Sequence, residues 1–294
     1  MHPIPPCILV TGGTGLLGRA LLARAAPGAR LVATWHRTPP PAEPAGVAWE
    51  QVDLRAPDAL AALVRRRAPD VILHTAVSAL PHDLDEVIVA GSRAAAEAAG
   101  AVGAAFVQVS SDMVFDGASG PFAEDAPLSP ITDYGRAKAK AELAVRACLP
   151  QAWIARCSLL YSVDPPDRSL AAWLDGLTRG DAYPLFTDEI RCPAHVDDVA
   201  DALLALAARI APGAEGRERV PKTLHLVGPR ALSRHAFGKV VLGALKQDPA
   251  LATAALSASS AHLRPRELVL ETRGTPGWLT GFLRAPEAAL SAKR

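Results

Sequence analysis

The stretch Cys7-Ile-Leu-Val-Thr-Gly-Gly-Thr-Gly-Leu-Leu-Gly18 decides the fold. Its first four residues form an apolar run without alternation, as expected of a parallel strand buried on both faces. Glycines follow at 12, 15 and 18, and a helical pattern then runs from about Gly15 to Arg24. Between a strand and a helix, such glycines permit a tight turn, let the backbone approach a pyrophosphate and allow the helix to pack close to the strand. The helix start adds amide donors and the positive end of a dipole. The stretch therefore predicts a nucleotide site rather than a plain glycine turn.

Working outward, strands are expected at Leu31–Trp35, Val47–Val52, Val71–His74, Ala105–Ser110 and Trp153–Cys157. Helices are expected between them, over Ala56–Arg67, over Leu84–Ala99 and around Tyr134. This alternation predicts an α/β chain with right-handed crossovers and a parallel sheet covered on both faces. Beyond Tyr161 the spacing becomes irregular, broken by Asp164-Pro-Pro166, Pro184, Pro193 and the loop 212–221. A first domain over residues 1–160 and a mainly substrate-binding region over 161–294 are expected, with elements near 195–209 and 222–228 packing back on the first domain. Asp197 is expected to cap a helix to Arg209, Thr223–Val227 to form a strand, and Ser233 to cap a helix to Lys246.

Composition narrows the function classes. The 294 residues are 50% hydrophobic, and 31 basic against 30 acidic side chains leave a formal charge of +1. The one basic run, Arg65-Arg66-Arg67, ends an expected helix, where cations are favoured anyway, so nucleic acid is not an expected partner. Cys7, Cys148, Cys157 and Cys192 lack metal-like spacing and read as reduced thiols of a cytoplasmic protein. The first residues, Met1-His-Pro-Ile-Pro-Pro, have no charged leader pattern, and no apolar run reaches membrane-spanning length. No histidine pair or carboxylate cluster asks for a metal.

Tyr134-Gly-Arg-Ala-Lys138 carries chemistry. At i and i+4 on a helix the two side chains share a face, so the ammonium can lower the phenol pKa from its usual value near 10. Only six of the 31 basic residues are lysines, and one of them stands at this position. The end of the second strand, Thr34-Trp-His-Arg37, has no acid to meet a ribose 2′-hydroxyl. A guanidinium there suits a 2′-phosphate, so NADP(H) is expected in preference to NAD(H).

The glycine turn, Ser110-Ser111-Asp-Met-Val-Phe-Asp-Gly117, Pro130 and the Tyr134/Lys138 pair together resemble the extended short-chain dehydrogenase/reductase superfamily, most closely its dTDP-4-dehydrorhamnose reductase group. The resemblance implies a Rossmann-type doubly wound sheet and reduction of a keto-sugar nucleotide. It implies that Ser111 holds the substrate carbonyl oxygen, Tyr134 delivers a proton, and Lys138 holds the nicotinamide ribose. Cofactor contacts are expected from Gly12, Thr14, Gly15, Leu16, Leu17 and Gly18, from His36 and Arg37, from Asp53 and Leu54, from Thr75 and Ala76, and from the Tyr134/Lys138 pair. Substrate contacts are expected from Ser110, Asp112, Met113, Val114, Arg191 and His195; Arg191 and His195 could equally bridge or cap the smaller region. The chain departs from the pattern at Ile88, where members often carry a relay asparagine, at His74-Thr-Ala-Val77, and at Met113 in place of tyrosine. Two other readings stay open: a cofactor-binding regulatory subunit resembling the methionine adenosyltransferase beta subunit, and a sugar-nucleotide epimerase. A homodimer is also left open.

Overall fold

A computed structural model describes residues 5–42, 46–78, 80–181 and 184–291. From the amino terminus the elements are β1 Cys7–Thr11, α1 Leu16–Arg24, β2 Arg30–Trp35, β3 Val47–Gln51, α2 Pro57–Arg67 and β4 Val71–His74. Then come α3 Gly91–Ala101, β5 Ala105–Ser111, α4 Asp133–Cys148, β6 Trp153–Cys157, β7 Leu160–Tyr161, α5 Arg168–Arg179, β8 Leu185–Phe186 and β9 Ile190–Arg191. The remainder is β10 Ala194–His195, α6 Val196–Ile210, β11 Thr223–Leu226, β12 Leu232–Ser233, α7 Arg234–Ala244, β13 Ala254–Ala255, α8 Gly277–Thr280 and α9 Pro286–Ser291.

Among the described residues the centre is a seven-stranded sheet in the order β11-β6-β5-β4-β1-β2-β3, and every neighbouring pair is parallel. The order reverses between β1 and β4, which opens a crevice at the carboxyl ends of those strands. One face of the sheet is covered by α1 and α6, which bury Leu21, Val199, Leu203 and Leu206. The other face is covered by α2, α3 and part of α4 through Leu63, Ala95, Ala99 and Val145. A separate apolar cluster of Tyr161, Leu170, Trp173, Phe237 and Val241 joins α5 and α7 beyond β7.

Three local expectations are corrected. Residues Leu84–Ala90 wind as a π-helix before α3 begins at Gly91, whose amide bonds back to the Glu86 carbonyl. A methyl on Gly91 would lie 3.1 Å from Leu54 Cβ, so close packing on the third strand's exit loop accompanies the wide turn. Asp197 does not cap α6. β10 runs directly into that helix, so His195 becomes the cap, its Nδ1 accepting from the Asp197 amide at 3.2 Å, while Asp197 supplies a carboxylate to the first turn. α7 ends at Ala244 rather than Lys246, and Ser233 caps its start by accepting from the Ala236 amide.

Candidate active site

The glycine turn is fastened to both neighbouring strands. The Gly12 amide donates to Thr34 Oγ1 at 3.1 Å and the Gly13 amide to the Thr34 carbonyl at 2.7 Å. On the other side Thr75 Oγ1 donates to the Thr11 carbonyl at 2.6 Å. Gly12 has φ +71°, and a methyl there would lie 2.7 Å from Ala76 Cα. A methyl on Gly18 would come within 2.3 Å of the Gly12 carbonyl oxygen. The turn is therefore a bare backbone cradle at the start of α1, as a dinucleotide phosphate needs.

A cavity of about 530 Å³ lies over this cradle. Its walls include Gly12, Thr14 and Gly15, then His36 and Arg37 after β2, Leu54 after β3, and Thr75 and Ala76 after β4. Leu16 and Leu17 instead pack on the core under α1 and, like Gly18 and Asp53, do not line the cavity. Asp53 is paired with Arg55 Nη2 at 2.7 Å and His36 Nε2 at 3.4 Å, and Arg55 holds its carboxyl down at about 2. Thr34, Thr38, Ser78, Val87 and Arg168 also line the cavity and were not expected from sequence. Thr34 was within reach of sequence reasoning, since it ends β2; Arg168 was not, because it comes from beyond β6.

Ser111 ends β5, and Tyr134 and Lys138 lie on the first turns of α4. Thr132 caps that helix by accepting from the Gly135 amide at 3.0 Å. Lys138 is buried and donates from Nζ to the Val109 carbonyl at 3.0 Å, two residues before Ser111. Burial lowers its ammonium to about 8, against raising contributions from Cys157 and Glu142. Tyr134 departs from expectation: its phenol is raised above the usual range, first by burial and then by the Asp112 carboxylate. Removal from water outweighs the help that i,i+4 spacing promised.

The expected substrate contacts divide into two groups. Ser111 and Met113 are half-buried near α4, the Ser111 hydroxyl donating to Asp112 Oδ1 at 3.2 Å and accepting from the Met113 amide. Ser110, Asp112, Val114 and His195 are buried. Ser110 donates to Glu142, which forms a buried pair with Arg156 at 2.9 Å. Val114 packs with Phe115 and Phe122. Asp112 accepts from both arms of Arg191, at 2.7 and 2.5 Å, and from Ser158, so Arg191 ties β9 to the turn after β5. His195 caps α6 and meets the Tyr161 ring edge-on at 5.2 Å. Ile88 is buried against Ala137 and Ala141, with Tyr134 beside them, so this position makes an aliphatic contact in place of the expected relay amide. His74 is buried, its Nδ1 2.9 Å from Thr11 Oγ1, and burial holds its pKa down at about 3. No group of three or more potential metal ligands occurs among the described residues, where no helix is long and apolar enough to cross a membrane.

Residues 7–278 match the model of the RmlD substrate binding domain family. A dTDP-4-dehydrorhamnose reductase of Sinorhizobium fredii is 30% identical over 242 residues, covering 80% of this chain and 76% of that protein. Methionine adenosyltransferase 2 subunit beta of Rattus norvegicus is 28% identical over 270 residues, 88% of this chain and 74% of the other. Among solved structures, the dTDP-4-dehydrorhamnose reductase of Bacillus anthracis in complex with NADP superposes with a TM-score of 0.79 at 19% identity, covering 99% of this chain and 98% of that one. The Bordetella bronchiseptica enzyme WbmG in complex with NAD gives 0.75 at 20% identity, covering 99% and 96%. With the glycine turn, Ser111 and the Tyr134/Lys138 pair all at the carboxyl edge of a Rossmann-type parallel sheet, the chain belongs to the RmlD substrate binding domain family.

Proposed function

We propose that the protein is an NADP(H)-dependent reductase of a keto-sugar nucleotide, of the dTDP-4-dehydrorhamnose reductase kind. The observation that carries this reading is the placement of Ser111, Tyr134 and Lys138 on the strand edge that also holds the glycine cradle. A bound nicotinamide supplies the hydride. Ser111 turns its hydroxyl from Asp112 to the substrate carbonyl oxygen and polarises it. Tyr134 keeps its proton through the working pH range, because burial favours the neutral phenol, and donates it to that oxygen as negative charge develops. Lys138, fixed by the Val109 carbonyl, stabilises the phenolate left behind, and its lowered pKa suits it to return the proton. Residues 161–294 supply mainly the substrate-binding region, while α6 and β11 complete the first domain.

NADP(H) is favoured over NAD(H) by Arg37 in the cavity wall and by the absence of an acid at the end of β2. Asp53, which follows β3, is already engaged by Arg55 and His36. Purified protein should oxidise NADPH with a dTDP-4-keto sugar, and Tyr134→Phe should lose most of that rate. Unchanged turnover in the variant would sink the mechanism. Arg37→Ala should erase the preference for NADPH over NADH, a change of about 10- to 100-fold in relative kcat/KM from one lost charge-assisted contact.

A second reading, a regulatory subunit that binds a dinucleotide without turning over a ketone, is supported by Ile88, by Met113 and by the likeness to the methionine adenosyltransferase subunit. Stoichiometric recovery of an enzyme partner, with no reduction across a broad ketone panel, would favour it.

A further inference from the structure

The residues lining the cavity over the glycine turn come from the first ninety positions, except Arg168. Arg168 is the first residue of α5, and its backbone is held firmly: the Asp167 carboxylate before it accepts from the Ser169 and Leu170 amides at 2.9 and 3.1 Å and from the Ser162 amide at 3.2 Å. Leu170 and Trp173 bury the next turns of the helix. The guanidinium, by contrast, is exposed and forms no ion pair among the described residues. The guanidinium thus stands exposed on the wall of a cavity whose floor is built for an anion.

The sheet order indicates which anion. Along the carboxyl edge the strands run β6, β5, β4, β1, β2. Arg37 follows β2, on the side where an adenosine ribose belongs, while Arg168 belongs to α5, which follows β6 and β7, so it comes from the opposite side of the turn after β1. We propose that Arg168 is a ligand of the cofactor diphosphate, sharing that group with the amides of the glycine turn, so that the second region of the chain closes the cofactor site. The proposal rests on the dinucleotide reading of the cavity.

The test is equilibrium titration of the whole protein, without ketone substrate, with NADPH and separately with NADH. Arg168→Ala should weaken both cofactors by about 10- to 100-fold, because both carry the diphosphate, and Arg168→Lys should recover part of the loss. Thermal melting should stay near wild type, since the side chain is exposed. Unchanged affinities would overturn the proposal. Loss of NADPH affinity alone would overturn it in favour of a 2′-phosphate contact. A wild-type protein that binds neither cofactor would refute the dinucleotide reading itself and the proposal with it, a result distinct from wild-type binding that survives in Arg168→Ala.

Discussion

Gly135→Ala tests whether α4 is held by direct backbone contact with the turn after β5. Gly135 follows Tyr134, and a methyl at this position would lie 2.1 Å from the Met113 carbonyl oxygen, with Thr132 Oγ1 at 3.0 Å. The near atom is backbone and cannot swing aside, so α4 and the Ser111–Met113 segment must part by about 0.9 Å merely to reach 3.0 Å. By helix propensity alone alanine should stabilise by about 0.5–1 kcal/mol. Overpacking should cost about 1–3 kcal/mol, so a net loss of stability is expected. The larger effect should fall on turnover: moving Tyr134 nearly 1 Å from Ser111 should lower kcat about 100-fold. The assay is steady-state oxidation of NADPH with the dTDP-4-keto sugar of the proposed reaction, paired with a melting curve and a cofactor titration in which affinity is retained. A variant that melts higher than wild type and keeps its turnover would refute this account of how α4 is positioned.

Glu142→Gln should destabilise by about 3–5 kcal/mol in urea unfolding, because it leaves the buried Arg156 guanidinium without its carboxylate; a loss below about 1 kcal/mol, the level of a surface pair, would contradict that reading. Lys138 has a folded-state pKa of about 8, below its unfolded value near 10.4, so the unfolded chain binds more protons in that window and its contribution to stability rises with pH. Lys138→Met should therefore make the slope of stability against pH less positive between about pH 8 and 9.5, a window in which the lowered Lys222 and the raised thiols of Cys7, Cys148, Cys157 and Cys192 act in both proteins. Profiles of equal slope would be inconsistent with a buried, depressed lysine. Gly18→Ala should abolish saturable NADPH binding, since its methyl would meet the Gly12 carbonyl oxygen at 2.3 Å, and an unaltered binding isotherm would show that the turn is not the cradle.

Much of the fold could be read in order along the chain because its signals are short-range. An apolar run without alternation marks a strand covered on both faces, and Cys7–Val10, Val71–His74 and Trp153–Cys157 all lie in the parallel sheet. The π-helical winding over Leu84–Ala90 could not be read this way, because its hydrophobic spacing does not differ from that of an ordinary helix. His195 shows the same limit. A histidine before Val196-Asp-Asp198 does not advertise itself as a cap, and it acts as one because β10 aligns beside β7 and delivers it to the start of α6.

By itself the sequence determined the α/β class, the glycine cradle at the first strand exit and the shared helical face of Tyr134 and Lys138. Each follows from steric and periodic rules acting over a few residues. Only the tertiary structure decided what surrounds those groups. The Asp112–Arg191 pair joins positions 79 residues apart, and Arg168 reaches a cavity otherwise built from the first ninety residues. The direction of the Tyr134 pKa was likewise a tertiary matter. Sequence spacing places a lysine near the phenol, but desolvation depends on everything packed around both, and here burial prevails, leaving a phenol that holds its proton and a lysine poised near neutrality.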